Sequence, residues 1–469
     1  MLFNSLEFLI FFPLVTLIYF LLPHKFRWIH LLVSSCVFYM SFIPEYIFIL
    51  AITILIDYYA GIWIEKSEGR KRKRYLVLSV VSTCLVLVIF KYYNFFSENL
   101  EHLFRFAHLK YPGKKYDILL PIGLSFHTFQ SLSYVFEVYR GNQRAEKHFG
   151  IYSLYVMFYP QLVTGPIERP QNLLVSLREK KYFTYDNVVN GLRLMLFGLF
   201  VKMVIADHLA QYVDQIYQQP AAYTSLSVFT GMVFYSFQIY CDFYGYSLIA
   251  VGCARVMGFH LMDNFKTPYL SLNINEFWQR WHISLSSWFR DYVYIPLGGR
   301  RVKYSKWIFN ILLVFILSGF WHGANWTFIL WGLLFAVIYL LEYAFNRVFH
   351  IDQKKEKTFI MRAFLVLKTF TLVTFCWVFF RSQNMGQIKN VFSALVNNLK
   401  RGESLHVLPQ VWVFLGLFIF VDILLYNKRF DQWCSAKPAF LRWSFYLILI
   451  FCTIVFSSIQ QYPFIYFQF

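Results

Sequence analysis

The sequence predicts an all-α polytopic membrane protein, on three observations. Of its 469 residues 58% are hydrophobic and only 15% charged, against about 45–50% apolar and about 25% charged in a soluble globular domain. Apolar runs of roughly 18 or more residues recur along the chain, each long enough to cross about 30 Å of hydrocarbon as a helix. Between them Lys and Arg gather in short connecting segments, the pattern of loops kept on the cytoplasmic side. The formal net charge of +19 therefore reads as membrane orientation. No basic stripe interleaved with aromatics lies outside the apolar runs, so nucleic acid is not an expected partner. One membrane-embedded domain is expected over residues 1–469.

The predicted spans, in order, are 5–22, 28–43, 46–64, 75–95, 119–139, 188–206, 225–257, 307–322, 326–345, 361–380, 407–426 and 441–460. The first run lacks a basic leader and a small-residue cleavage site, and is expected to be a retained helix rather than a signal peptide. The run 225–257 is too long for one straight crossing and is expected to be tilted or broken. Segment 150–168 holds Pro160, Gly165 and Pro166. It reads as re-entrant, a backbone tolerated at membrane depth only when protein or a wet cavity surrounds it. The seven cysteines form no C-x-x-C pair, and most lie in apolar runs where Cys acts as a small hydrophobe. Neither a disulfide framework nor a zinc site is indicated.

Segments 65–74, 300–306 and 346–362 are rich in Lys and Arg, whereas 207–225 has neither. Alternation through the spans puts the first three on the cytoplasmic side and the last outside, in agreement with the charge rule. Segment 96–118, with Arg105, Lys110, Lys114 and Lys115, fits poorly, because alternation puts it outside.

Two stretches carry ionisable groups where they are costly. In "SGFWHGANW" (318–326), His322 follows one apolar run and precedes another. Gly323 suits the left-handed position after a helix and Asn325 the cap of the next. Sixteen residues from Lys306, at 1.5 Å each, carry His322 about 24 Å outward, into the outer half of the membrane. In "NINEFWQRWHISLSSWFRDYVYIPLGGRR" (273–301), Asn273 and Glu276 suggest a capping box. Trp278, His282, Leu285 and Phe289 would share one face of a single amphipathic helix. The chain thus offers one histidine reached from outside and one from the cytoplasm, a layout for joining a cytoplasmic donor to an external acceptor by proton transfer.

"FWQRWHISLSSWFRDYVYIPLGG" followed by "LSGFWHGANWTFILWG" resembles the membrane-bound O-acyltransferase family, in its bacterial AlgI-like branch of polysaccharide O-acetyltransferases. The stretches 1–23, 119–141, 158–170 and 240–252 fit as well, so the resemblance covers nearly the whole chain. It implies a ring of about 11–12 helices with re-entrant and amphipathic segments around a central acyl-transfer tunnel. It assigns catalysis to His322, on the floor of a funnel open to the outside, and to His282. It also implies a donor that is not tightly bound, acetyl-CoA or an acyl-carrier thioester. The acceptor would be an extracytoplasmic polysaccharide such as alginate, another exopolysaccharide or peptidoglycan. An SGNH/GDSL-like partner and the bacterial inner (cytoplasmic) membrane complete the expectation.

Each candidate has a plainer reading. His322 could hydrogen-bond a carbonyl, and His282 could pack against a Trp. His127 would line the tunnel or pack. Arg290 and Asp291 would meet donor phosphates, orient the loop, or form an interfacial ion pair. Trp281 is a candidate for substrate binding, and Trp321 and Asn325 would shape the pocket, or serve as aromatic filler and cap. No G-x-S-x-G, Walker or H-E-x-x-H motif offers another active site, and the two histidines lack a third ligand for a metal. The competing functions are D-alanyl transfer to teichoic acid and, in another class, a transporter or flippase without acyl chemistry.

Overall fold

A computed structural model describes residues 1–114, 116, 121, 123–163, 165–350, 357–458 and 462–467. It divides into two compact units, residues 1–192 with 250–262, and residues 193–249 with 263–469. The described residues are helical apart from turns, loops and one isolated bridge between Tyr223 and Glu403.

Among the described residues every predicted span falls on a helix; residues 459 and 460 of the span 441–460 lie outside them. The first unit contains α1 (Leu6–Leu21), α2 (His24–Met40), α3 (Tyr46–Lys66), α4 (Gly69–Leu87), α5 (Tyr93–Phe106), α6 (Leu124–Arg140), α7 (Phe149–Met157), α8 (Tyr159–Leu162) and α9 (Pro170–Arg178). A π turn, Val88–Tyr92, joins α4 to α5. The basic segment predicted as a loop at 65–74 is largely the first turns of α4, which begins at Gly69. Of the span predicted at 119–139, residues 119, 120 and 122 lie outside the described residues, as do residues 351–356 of the basic segment 346–362.

Asp57 of α3 clasps three helices. Its carboxylate accepts from Ser79 Oγ (2.5 Å) and Thr83 Oγ1 (3.0 Å) of α4 and from Ser131 Oγ (2.5 Å) of α6. Hydroxyl donors of this kind satisfy a polar group that hydrocarbon could not. The interrupted segment is the pair α7–α8, broken at Phe158. Residues 151–163 are all buried, as irregular backbone in a membrane protein must be.

The chain continues through α10 (Tyr185–Phe200), a π segment Val201–Ala206, α11 (Asp207–Gln218) and α12 (Ser225–Val256). The last is a single unbroken helix of 32 residues, so of the two alternatives for 225–257, tilted or broken, the break is absent. The second unit adds α13 (Ile274–Arg280), α14 (Ile283–Phe289), α15 (Tyr304–His322), α16 (Trp326–Val348), α17 (Phe359–Arg381), α18 (Met385–Asn397), α19 (Pro409–Leu424), α20 (Phe430–Ser435) and α21 (Ala439–Val455). Among the described residues, six helices can cross a membrane by length and composition: α3, α4–α5, α10–α11, α15, α16 and α17. Three more, α1, α19 and α21, are apolar but shorter. The protein is a multi-pass, all-helical membrane protein.

The α15–α16 pair is set by glycine. A Cβ on Gly319 would overlap the Phe328 carbonyl oxygen, and one on Gly332 the Phe315 carbonyl oxygen. Small residues let two membrane helices bring their backbones together, and this contact fixes the turn that carries His322.

Candidate active site

His322 is the last residue of α15 and is buried. Gly323 after it is extended (φ −161°, ψ 151°), not left-handed as expected. Glycine is needed there for space, because a Cβ would collide with the Phe328 ring. Asn325 caps α16 as expected, its Oδ1 accepting from Thr327 N (3.0 Å). Its Nδ2 donates to Gln383 O (2.6 Å), which ties the break to the end of α17.

The single amphipathic helix expected over 273–301 is two short ones. Asn273 does cap α13, accepting from Glu276 N (2.8 Å), but the Glu276 carboxylate reaches Leu272 N (2.9 Å), one residue beyond a reciprocal capping box. The helix then stops. Trp281 is extended and His282 is left-handed, with φ +42°, a conformation that His adopts more readily than most residues. The cause is tertiary. Lys266 N donates to Arg280 O (3.0 Å) and Ile283 N to Asn264 O (2.9 Å), so segment 264–266 pairs across the break. Asn264 Oδ1 also accepts from Ser284 Oγ (2.6 Å). Helix periodicity could not reveal a break imposed by residues some twenty positions away.

The break aims His282 into the interior. Its ring meets Phe243 edge-on at 4.6 Å and approaches Trp321 at 6.3 Å and Tyr466 at 6.4 Å between ring centres. Burial pushes its imidazole down to about 3, so the ring is neutral near pH 7. The His322 ring lies 4.8 Å from Trp321, 5.1 Å from Trp331, 5.1 Å from Phe380 and 5.5 Å from Tyr466. The two histidines, 40 residues apart in sequence, therefore share two neighbours, Trp321 and Tyr466.

Tyr466 was not foreseen. It sits on a short 3₁₀ turn, Ile465–Phe467, and is placed by a buried ion triad. Lys202 Nζ lies 2.6 Å from Asp207 Oδ1 and 2.6 Å from Asp242 Oδ1. It also donates to Tyr462 O (3.1 Å), while Ile465 N donates to Asp242 Oδ2 (2.7 Å). The triad thus holds the C-terminal segment against α12, and the next side chain enters the histidine cluster. Lys202, Asp207 and Asp242 lie within or beside predicted spans, and their cost there is a signal that could have found them. The aromatic tail "FIYF" (464–467) has no helical period and gave no such signal.

The remaining candidates fall in different places. Trp281 is buried among Phe265 (5.1 Å), Phe277 (5.5 Å) and Trp377 (4.9 Å) and backs the cluster. Arg290 Nε donates to Asp291 Oδ1 (2.8 Å). The Arg290 side chain is 63% exposed, so the two form an ion pair open to the surroundings. His127 belongs to the first unit, on α6, with Nε2 3.3 Å from Thr53 Oγ1. Among the described residues no three His, Cys, Asp or Glu side chains form a metal-binding group. The chemically competent groups of the cluster are two imidazoles and a phenol.

Residues 148–380 match the MBOAT, membrane-bound O-acyltransferase, family. The chain is 32% identical to the peptidoglycan O-acetyltransferase of Helicobacter pylori, over 90% of this chain and 82% of the relative. It is 36% identical to the probable alginate O-acetylase AlgI of Azotobacter vinelandii, over 84% of this chain and 78% of the relative. It is 30% identical to the teichoic acid D-alanyltransferase of Bacillus subtilis, over 55% of this chain and 66% of the relative.

Proposed function

The chain belongs to the membrane-bound O-acyltransferase family and is a membrane O-acyltransferase; from that premise we propose that it moves an acetyl group from a cytoplasmic thioester to a polysaccharide hydroxyl outside the membrane. The observation that carries this reading is the meeting of His282, His322 and Tyr466 around Trp321. The competing transporter reading gives way to the family membership.

His322 acts as general base. It takes the proton of an attacking hydroxyl, whose oxygen bonds to the acyl carbon of the thioester. The carbon–sulfur bond breaks and the thiol leaves with a proton. In this reading Tyr466, whose ring lies 5.5 Å from that of His322, supplies the first hydroxyl. Its first attack would leave the acyl group as an ester on the phenol oxygen. An acceptor hydroxyl, deprotonated by His322, would then attack that ester, and the phenol would regain its proton. Overall a thioester and an alcohol become a thiol and an ester. His282, neutral and also against Trp321 and Tyr466, serves the donor. Positioned proton transfer of this kind contributes about 10²- to 10⁴-fold.

Acetyl is favoured over D-alanyl because the relatives named for acetyl transfer match most of this chain, and the D-alanyl relative about half of it. The donor is acetyl-CoA or an acyl-carrier thioester, the setting the bacterial cytoplasmic membrane, and an SGNH/GDSL-like partner receives the acyl group for delivery to the polymer. Proteoliposomes loaded with labelled donor decide among these. Label from internal acetyl-CoA should reach an external acceptor. Transfer only from an internal D-alanyl-carrier thioester would make the chain a D-alanyltransferase.

A further inference from the structure

We propose that Arg280 is a positioning residue for acyl transfer: its guanidinium clamps three chain segments into the strained knot that aims His282 at the donor. The proposal rests on the reading of His282 given above.

Among the described residues five other than glycine have a left-handed backbone: His108, Thr267, His282, His350 and Asn427. Three of the five gather around one guanidinium. Arg280 Nη1 donates to Asn427 Oδ1 (2.9 Å) and, more weakly, to Thr267 Oγ1 (3.4 Å). His282 follows Arg280 by two residues. Asparagine and histidine enter the left-handed region more readily than most residues, but a β-branched threonine there is an outlier. Such strain persists only where the surrounding structure over-determines it, and it gathers at functional sites.

The guanidinium supplies the excess of contacts. Nε donates to Glu276 Oε1 (2.9 Å), one turn back on α13, Nη1 to Lys266 O (3.0 Å) and Nη2 to Tyr426 OH (2.8 Å). Lys266 N donates in return to Arg280 O (3.0 Å), so the two residues are bonded both ways. Arg429, from the same turn after α19, takes a second hold, its Nη1 donating to Asp263 Oδ1 (3.3 Å). The end of α13, segment 263–267 and the turn after α19 thus meet at one planar group. Segment 264–266 imposes the break that places His282, so the group that holds this segment also sets where the imidazole points. A fork of five N–H donors in fixed directions can tie three segments at once, and a lysine ammonium cannot copy it.

The test uses the full-length protein in proteoliposomes with labelled acetyl-CoA inside, and the transfer rate and melting temperature of each variant are read together. Arg280→Lys keeps the charge and loses the fork. Its transfer should fall by about 10²-fold, the cost of misplacing a reacting group by about 1 Å. Tyr426→Phe combined with Asn427→Gly removes two acceptors on the turn after α19 and still allows its left-handed backbone. Transfer there should fall by about tenfold, the order expected when a hydrogen bond to a charged group is lost. Both changes are then repeated in a His282→Asn background. A residue that acts through the imidazole has nothing left to position, so each should now cost less than about twofold. A loss of equal size with and without His282 would make Arg280 a packing residue and overturn the proposal. So would transfer like the parent's in a folded Arg280→Lys. Should Arg280→Lys fail to fold, the Tyr426 and Asn427 variant carries the same comparison. Parent-like transfer by His282→Asn alone would overturn the reading of His282, and the proposal with it.

Discussion

The ring of Tyr466 stands 5.5 Å from that of His322, so a residue from the C-terminal turn reaches the histidine that ends α15. The contact depends on Ile465 N–H bonding Asp242 one residue earlier. It joins a charge triad, a tail and a catalytic candidate in one unit.

Tyr466→Phe keeps the ring and removes the hydroxyl. Transfer to the acceptor should fall by at least about 10²-fold, the lower end of what a positioned proton-transfer step supplies, with expression unchanged. In the parent, labelled donor without acceptor should leave an acyl ester on Tyr466, read by peptide mass spectrometry. Full activity in Tyr466→Phe would remove the phenol from the pathway.

Asp242→Leu removes one partner of the buried triad and the acceptor for Ile465 N. Breaking a buried pair costs about 3–5 kcal/mol, since a charge is left uncompensated. Thermal stability in detergent should drop accordingly, and activity with it. Lys202→Met combined with Asp207→Leu and Asp242→Leu should recover much of the stability but not the activity, because the tail would still lack its anchor. A triple variant as active as the parent would show that the triad serves packing alone.

His282 combines a backbone and an imidazole role, and two substitutions separate them. Asn tolerates the left-handed conformation at φ +42°; Ala pays about 1–2 kcal/mol there. His282→Asn should fold near normally yet transfer poorly from the donor, with donor binding weakened. The imidazole is held down to about 3 by burial, against about 6.5 when unfolded. As pH falls below 6.5 the unfolded chain takes the proton first, so folded stability is lost progressively toward pH 3. The loss reaches about 2 kcal/mol at pH 5. His282→Asn should flatten that part of the melting-temperature profile.

Orientation is checked by single cysteines at Gln218 and Arg301, both exposed, in a background lacking the native cysteines. An impermeant thiol reagent on intact cells should label only the first, because segment 207–225 carries no Lys or Arg and 300–306 is basic. Labelling at Arg301 alone would invert the topology and put His322 near the cytoplasmic face.

The helices were legible because long apolar runs leave few alternatives to a membrane span. The turn at His322 was legible because Asn325 is a good cap, although Gly323 turned out to answer the Phe328 ring rather than a left-handed turn. The break at His282 was not, since Asn264 and Lys266 impose it through backbone bonds. Tyr466 was not, since its place is set by charges on α12 and the preceding π segment. In each miss a distant contact overrode the local pattern.

The most direct measurement is acetyl transfer across proteoliposomes by purified His322→Gln, with labelled acetyl-CoA inside and acceptor outside. The variant should insert and melt like the parent, since its side chain keeps similar volume at a buried position. Transfer should fall by about 10²- to 10⁴-fold, the contribution of a general base. Transfer within about threefold of the parent, by a variant that folds normally, would contradict a catalytic His322, because losing a general base costs far more than that.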